Sequence, residues 1–164
     1  MRYGVRGIKD RNDIGFADYT VDDIVYAKRD INTLEHQITG KYSINNVMNF
    51  NLKVRYYWAH AINNKFLNLQ DDGYFMDNTT YNANKNINRN IWNFDLSYSW
   101  WFAPGSLVSI LYRNNSSLSE RTFNTNFGDN LRNVLNNNPN NTISISFRYY
   151  IDYNQAKNIF KQSN

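Results

Sequence analysis

Cysteine is absent from the 164 residues, which excludes disulfide staples and thiolate metal sites. Histidine and proline occur twice each. No stretch approaches the roughly 18 consecutive apolar residues that a transmembrane helix requires. The N-terminus has no basic segment followed by an apolar run, so no signal peptide is expected. The seven glycines are scattered, so no phosphate-cradling loop is present. The net charge of +4 is mild, and the basic residues are spread mostly singly, which speaks against a nucleic-acid stripe. What the chain does have is asparagine, 30 residues, and aromatic rings, 13 Tyr, 10 Phe and 4 Trp. With 41% hydrophobic residues, it is too apolar for simple disorder.

The dominant pattern is two-residue alternation. In Met48–Trp58 one set of positions reads Met48, Phe50, Leu52, Val54, Tyr56 and Trp58, and the other reads Asn49, Asn51, Lys53, Arg55 and Tyr57. A strand points successive side chains to opposite faces, so one face is apolar and the other wet. A helix would mix the two sets on every side. The same alternation recurs in Trp92–Phe102 and Thr142–Tyr153, and more weakly in Thr33–Ile44 and Leu107–Asn114.

The connections alternate in length. Asn45-Asn46-Val47 and Ala103-Pro104-Gly105 are short, with Pro and Gly in turn roles. His60–Asn90 and Asn115–Asn141 are long, polar and rich in Asn. Within the second, Leu131, Val134 and Leu135 fall at helical spacing, which predicts a short helix over Asp129–Asn136 that Pro139 prevents from continuing. Alternating strands of about 9–13 residues joined by short and long connections in turn are the signature of an outer-membrane β-barrel. A soluble β-sandwich also alternates. Charges on the polar faces (Lys53, Arg55, Asp95, Arg148, Asp152) and aromatics at strand ends favour a barrel with a wet lumen. The expected fold is therefore all-β: an antiparallel transmembrane barrel fragment of about five strands, with long extracellular loops and one short loop helix.

Several segments also resemble a known family. Arg11–Tyr19 (RNDIGFADY), Lys28–His60 (with its RYYWAH exit), Trp101–Asn114 (WFAPGSLVSILYRN) and Thr142–Tyr153 (TISISFRYYIDY) are similar to the uncharacterised C-terminal barrel domain of Bacteroidota surface proteins. Those proteins carry an N-terminal carbohydrate-binding domain similar to family 9 modules. The resemblance spans nearly the whole chain and implies an outer-membrane location with a role in surface glycan handling, as channel or anchor. Members of that family are longer, and five strands are an odd number. The expectation is thus of the C-terminal part of a larger barrel. Residues 1–30 form a loop region after a missing upstream strand, 31–153 the barrel strands, and 154–164 a periplasmic tail. Its expected partners are outer-membrane lipid, the barrel-assembly machinery, the missing N-terminal strands and glycans, with no nucleic acid. Short turns face the periplasm and long loops the exterior in such barrels.

Candidate chemistry is sparse. His36 and His60 lack an obvious third ligand, so no metal site is expected. Asp22-Asp23 and Asp71-Asp72 read as solvated loop carboxylates rather than a glycosidase pair, which needs a set separation across a substrate. Asp10, Asn12, Asp13 and Gly15 only faintly suggest a calcium loop, because a closing bidentate Glu is missing. No catalytic residue and no cofactor is assigned, and the chain reads as a non-enzyme; a fragment of a surface glycoside hydrolase and a soluble carbohydrate-binding sandwich are the alternatives. The binding residues expected in the first long loop are Tyr74, Phe75 and Tyr81 as stacking platforms, with Lys65 and Asp72 as polar partners. A ring stacks on a sugar face while polar groups meet its hydroxyls.

Overall fold

The computed structural model describes residues 1–21, 23–122 and 124–152. Among the described residues the chain is all-β apart from one helix. Its elements are β1 (Arg2–Tyr19), β2 (Ile24–Ser43), β3 (Met48–Leu69), β4 (Phe75–Asp77), β5 (Ile87–Ala103), β6 (Ser106–Glu120), α1 (Phe127–Asn136) and β7 (Asn140–Arg148). Six of the strands form one antiparallel sheet in the order β1-β2-β3-β5-β6-β7, and β4 adds a short pairing to the upper part of β3. The sheet is open: among the described residues no ladder joins β1 to β7.

Directly opposed residues in an antiparallel ladder share a face, so the register defines the two surfaces. One row reads Tyr42, Phe50, Tyr98, Ile110 and Ile145 across β2, β3, β5, β6 and β7. The next reads Gly40, Leu52, Leu96, Tyr112 and Ile143. On the opposite face a row runs Arg2, Thr39, Lys53, Asp95, Arg113 and Thr142. That face is knitted by ion pairs, Arg113–Asp95 at 2.7 Å and Arg55–Glu35 at 2.8 Å.

The apolar face is largely uncovered. Ile145 is 72% exposed and Tyr42 68%. Among the described residues the buried apolar ones are few: Val25, Ala27, Tyr56, Ala61, Leu67 and Val134. A contiguous exposed apolar surface of this kind marks a protein or membrane contact.

Two ends can be distinguished. At the hairpin end, Asn45 Oδ1 accepts from the amides of Val47 and Met48 at 3.0 and 2.8 Å. Pro104-Gly105 turns β5 into β6 there, and Gly105 has φ +73°, where an added Cβ would also meet the Tyr150 Cβ at 2.9 Å. At the opposite, loop end lie the β1–β2, β3–β5 and β6–β7 connections.

The structure corrects several expectations. Residues 1–30 are not a loop: Arg2–Tyr19 is a strand, and β2 begins at Ile24. Alternation in β1 is broken by glycines and by a register shift between Asp10 and Asp13, where Asn12 takes φ 57°. Asp30 holds this bulge, accepting from the Asn12 amide at 3.1 Å and from Arg11 Nη1 at 3.0 Å. The Asp10–Gly15 segment is thus strand and bulge. β3 continues to Leu69 and β6 to Glu120, so both long loops are shorter than expected. The β1–β2 turn is also brief, so the connections do not alternate strictly in length. β7 ends at Arg148, and Tyr149–Asp152 follow without strand pairing. Tyr153, the 154–164 tail and Asp22 lie outside the described residues.

Candidate functional site

The loop end begins with a buried asparagine network. Asn126 caps α1, its side chain accepting from the Asp129 amide at 3.1 Å. This is the capping chemistry that Asn favours, since it satisfies an orphan amide of the first turn. Asn130, one turn on, faces the sheet. Its Oδ1 accepts from Asn88 Nδ2 at 2.9 Å and Asn90 Nδ2 at 3.3 Å. Its Nδ2 donates to the carbonyls of Asn124 and Asn126, both at 2.8 Å. Asn88 Oδ1 accepts from Trp58 Nε1 at 2.8 Å, and Asn90 Oδ1 from the Tyr56 hydroxyl at 2.7 Å. Asn88 and Asn90 are fully buried, and the side-chain amides of Asn88, Asn90 and Asn130 each both donate and accept. Satisfied buried networks rigidify, whereas a partly satisfied one is costly.

The same helix places Phe127 edge-on against His36, Tyr56 and Trp58 at 5.3, 5.3 and 6.5 Å between ring centroids. These rings stand on the apolar face. Tyr56 is therefore only 3% exposed. The helix matches the expected position, with Val134 buried and Leu131 and Leu135 half-buried.

The five residues expected to bind do not form one cluster. Asp72 and Tyr74 sit in the β3–β4 turn, where Asp72 Oδ1 accepts from the Tyr74 amide at 3.0 Å, and Phe75 is the first residue of β4. Tyr74 is 75% exposed. Phe75 packs edge-on against Tyr26 at 5.0 Å. Lys65 lies on β3 and pairs with Asp77 of β4. Tyr81 is elsewhere, packed on Phe66 at 4.7 Å with its hydroxyl donating to Asp18 Oδ2 at 2.6 Å. It buttresses the 78–86 segment against the sheet.

Asp18 is the hub of that buttress, because Lys85 Nζ also reaches its Oδ2 at 2.7 Å. The Lys85 ammonium, then the Tyr81 hydroxyl, hold the Asp18 carboxyl below its ordinary value of 3.8. Lys85 is raised, chiefly by Asp18, and Tyr81 is raised by burial and then by Asp18. A lowered carboxyl contributes stability that is full above its ordinary value and is lost as pH falls through the lowered one. Amide protection over 78–86 is thus expected to hold at neutral pH and to fall in acid below 3.8, before the central sheet opens. Hydrogen-exchange protection factors as a function of pH test this. Asp18→Asn should remove the acid limb, and an unchanged acid limb in that variant would assign the opening to another group.

A second feature was not legible from the sequence. Lys9, Asn32 and His60 lie opposite one another in a row across β1, β2 and β3, with Gly7, Leu34 and Trp58 in the row beneath. Together with Arg11 they enclose a cleft of about 670 Å³. Lys9 and Asn32 carry no pattern that would single them out; the register assembles them.

The sequence profile of a domain of unknown function, DUF5916, matches residues 1–160. The chain belongs to this family. No curated protein sequence and no solved structure matches it. The matched span of the DUF5916 domain includes every strand and α1, so both faces of the sheet and all the loop-end features belong to one family unit. Among its described residues, no three His, Cys, Asp or Glu side chains converge as a metal site would need.

Proposed function

We propose that this DUF5916 domain is a segment of an outer-membrane β-barrel wall, with its loop end outside the cell and engaged with glycans. One observation carries the reading: a single-layered sheet has one apolar face left uncovered and one face lined with paired charges. A barrel wall in lipid needs this division, apolar outward and polar toward the lumen. Strand length supports it. A transmembrane strand needs about 9–11 residues, whereas β3 has 22, or about 70 Å at ~3.3 Å per residue. Its first half suffices to span, and its second half projects beyond the membrane with the loops.

In this reading, β1 and β7 pair with further strands, because lipid does not tolerate open sheet edges. The barrel-assembly machinery and outer-membrane lipid are then its partners. A sandwich would need a second layer over the apolar face, and α1 covers only its loop end. The sheet does no chemistry in this proposal; it is an anchor or channel wall. The direct test is solution behaviour: the protein should require detergent or lipid to stay monodisperse, and a stable monomer in plain buffer would overturn the membrane reading.

The glycan part of the proposal rests on the family resemblance and on exposed loop aromatics. Tyr74 and Phe75 remain the stacking candidates, with Asp72 and Lys65 as polar neighbours, while Tyr81 supports the adjoining segment. Tyr74→Ala with Phe75→Ala should weaken binding of surface glycans by about tenfold, given ~0.5–1.5 kcal/mol per aromatic contact beyond the area term. Tyr81→Phe should leave binding near normal. Glycan-array titration of the detergent-solubilised protein distinguishes the two. Equal binding by all variants would leave the wall as a passive anchor.

A further inference from the structure

We propose that the cleft formed by Lys9, Arg11, Asn32, Trp58 and His60 binds a phosphorylated sugar, presented as the head group of an outer-leaflet glycolipid. Four observations converge on this chemistry. The cleft, about 670 Å³ in volume, is lined by two cations and by no carboxylate. Lys9 has no ion pair among the described residues, so its ammonium is available to an anion. Arg11 is anchored by Asp30 at 3.0 Å yet has a side chain 55% exposed, which leaves part of its guanidinium fork facing outward. Beside these cations stand the Trp58 ring and the Asn32 amide. The ring offers a platform for a sugar face and the amide can meet hydroxyls. The polar partners are pre-set: Asn32 Nδ2 contacts His60 Nε2 at 2.8 Å, Trp58 Nε1 is held by Asn88, and the Trp58 ring lies 5.5 Å from His60.

Position favours the lipid-borne form of this ligand. The residues belong to the apolar face, where the Lys9–Asn32–His60 row lies one row above Leu34, two above Val5 and three above Ile38. A head group seated in the cleft would lie directly over an exposed apolar surface, where Val5 is 53% exposed, and acyl chains could run along it. Gly7 keeps the floor open. A Cβ there would have no neighbour nearer than the Thr33 carbonyl at 3.9 Å, so a larger side chain would fill the cleft without straining the strand.

This inference rests on the membrane reading for the source of the ligand but not for its chemistry, and the test separates the two. The full chain is titrated with monophosphoryl lipid A in detergent micelles, and separately with glucosamine 1-phosphate and with inorganic phosphate. Lipid A is expected to bind, and Gly7→Leu and Lys9→Gln are each expected to weaken it about tenfold, the equivalent of one charge-assisted hydrogen bond. Their amide-exchange patterns should otherwise match the parent, which checks the fold. Glucosamine 1-phosphate bound as tightly as lipid A, and equally sensitive to both variants, would support the site and assign it a soluble sugar phosphate. Inorganic phosphate binding equally well would overturn the role of Trp58 and Asn32. Undiminished binding in Gly7→Leu and Lys9→Gln would overturn the site altogether, whatever the detergent requirement of the protein.

Discussion

In the proposed barrel wall, Leu96→Arg is expected to destabilise the protein by about 2–4 kcal/mol, the cost of a cation facing hydrocarbon near mid-span. Leu96 sits between Leu52 and Tyr112 in the middle of the apolar face. Val54→Arg, one row toward the loop end beside Phe94, should behave in the same way. Ser97→Arg makes the contrast. Ser97 follows Leu96 in the chain but shares its face with Asn51 and Leu111, close to the rows of Lys53, Asp95 and Arg113. In the proposed wall a cation there would meet water and charge rather than lipid, so its cost should fall well below that of Leu96→Arg. Equilibrium unfolding from lipid vesicles measures all three. Equal costs at 96 and 97 would mean that the faces divide two similar environments, and the membrane assignment would fail. A soluble sandwich would penalise Leu96→Arg too, so the detergent requirement must be measured on the same samples.

The second large effect is expected at Asn130. Asn130→Leu removes the acceptor of two buried amides, Asn88 Nδ2 and Asn90 Nδ2. It also frees the carbonyl of Asn124, while that of Asn126 keeps the backbone amide of residue 130 at 3.1 Å. An unsatisfied buried donor costs about 1–3 kcal/mol, so the two amides together predict a loss of about 2–6 kcal/mol. Because α1 is docked through this residue and Phe127, the loss should appear as local release of the helix before global unfolding. Amide exchange in α1 should rise while the β2–β3 ladder stays protected. Asn126→Ala, which removes the cap alone, should cost about 1 kcal/mol. If Asn130→Leu were as mild as Asn126→Ala, the network would not be what holds the helix.

The sequence made the central strands legible because their alternation is uninterrupted. β3 over Met48–Trp58, β5 over Trp92–Phe102 and β7 from Thr142 onward each alternate an apolar set with a mostly polar one. β1 was hidden: Gly4, Gly7 and Gly15 carry no side chain to report a face, and the bulge at Asp10–Asp13 shifts the period by a residue. The upper part of β3 was read as loop for a related reason. A register shift between Lys28 and Arg29 pairs them with Lys65 and Asn63, so Asn64 interrupts the pattern. The helix was found from Leu131, Val134 and Leu135, yet the residue that docks it is Asn130. Asparagine in an Asn-rich loop signals a turn, and nothing local distinguishes the three amides that are buried. The expected rim residues came from exposure and aromatic content, which places Tyr74 well. It could not foresee that Tyr81 is committed to Asp18, 63 positions away. The Lys9–Asn32–His60 row is likewise a product of cross-strand register.

The clasp made by α1 carries a temporal meaning. Phe127 touches His36 of β2 and Tyr56 and Trp58 of β3, and Asn130 bonds to Asn88 and Asn90 of β5. Three strands must already lie side by side before the helix has anything to grip. Yet the helix sits in the connection that delivers β7, the sheet's last described strand. As the sheet forms, the β6–β7 connection would stay long and slack until β2, β3 and β5 are in register, and would then be drawn in. The helix therefore acts as a latch that closes only on a correctly laid sheet, and a strand slipped by one residue would turn Asn88 and Asn90 to the other face and leave the latch with nothing to hold.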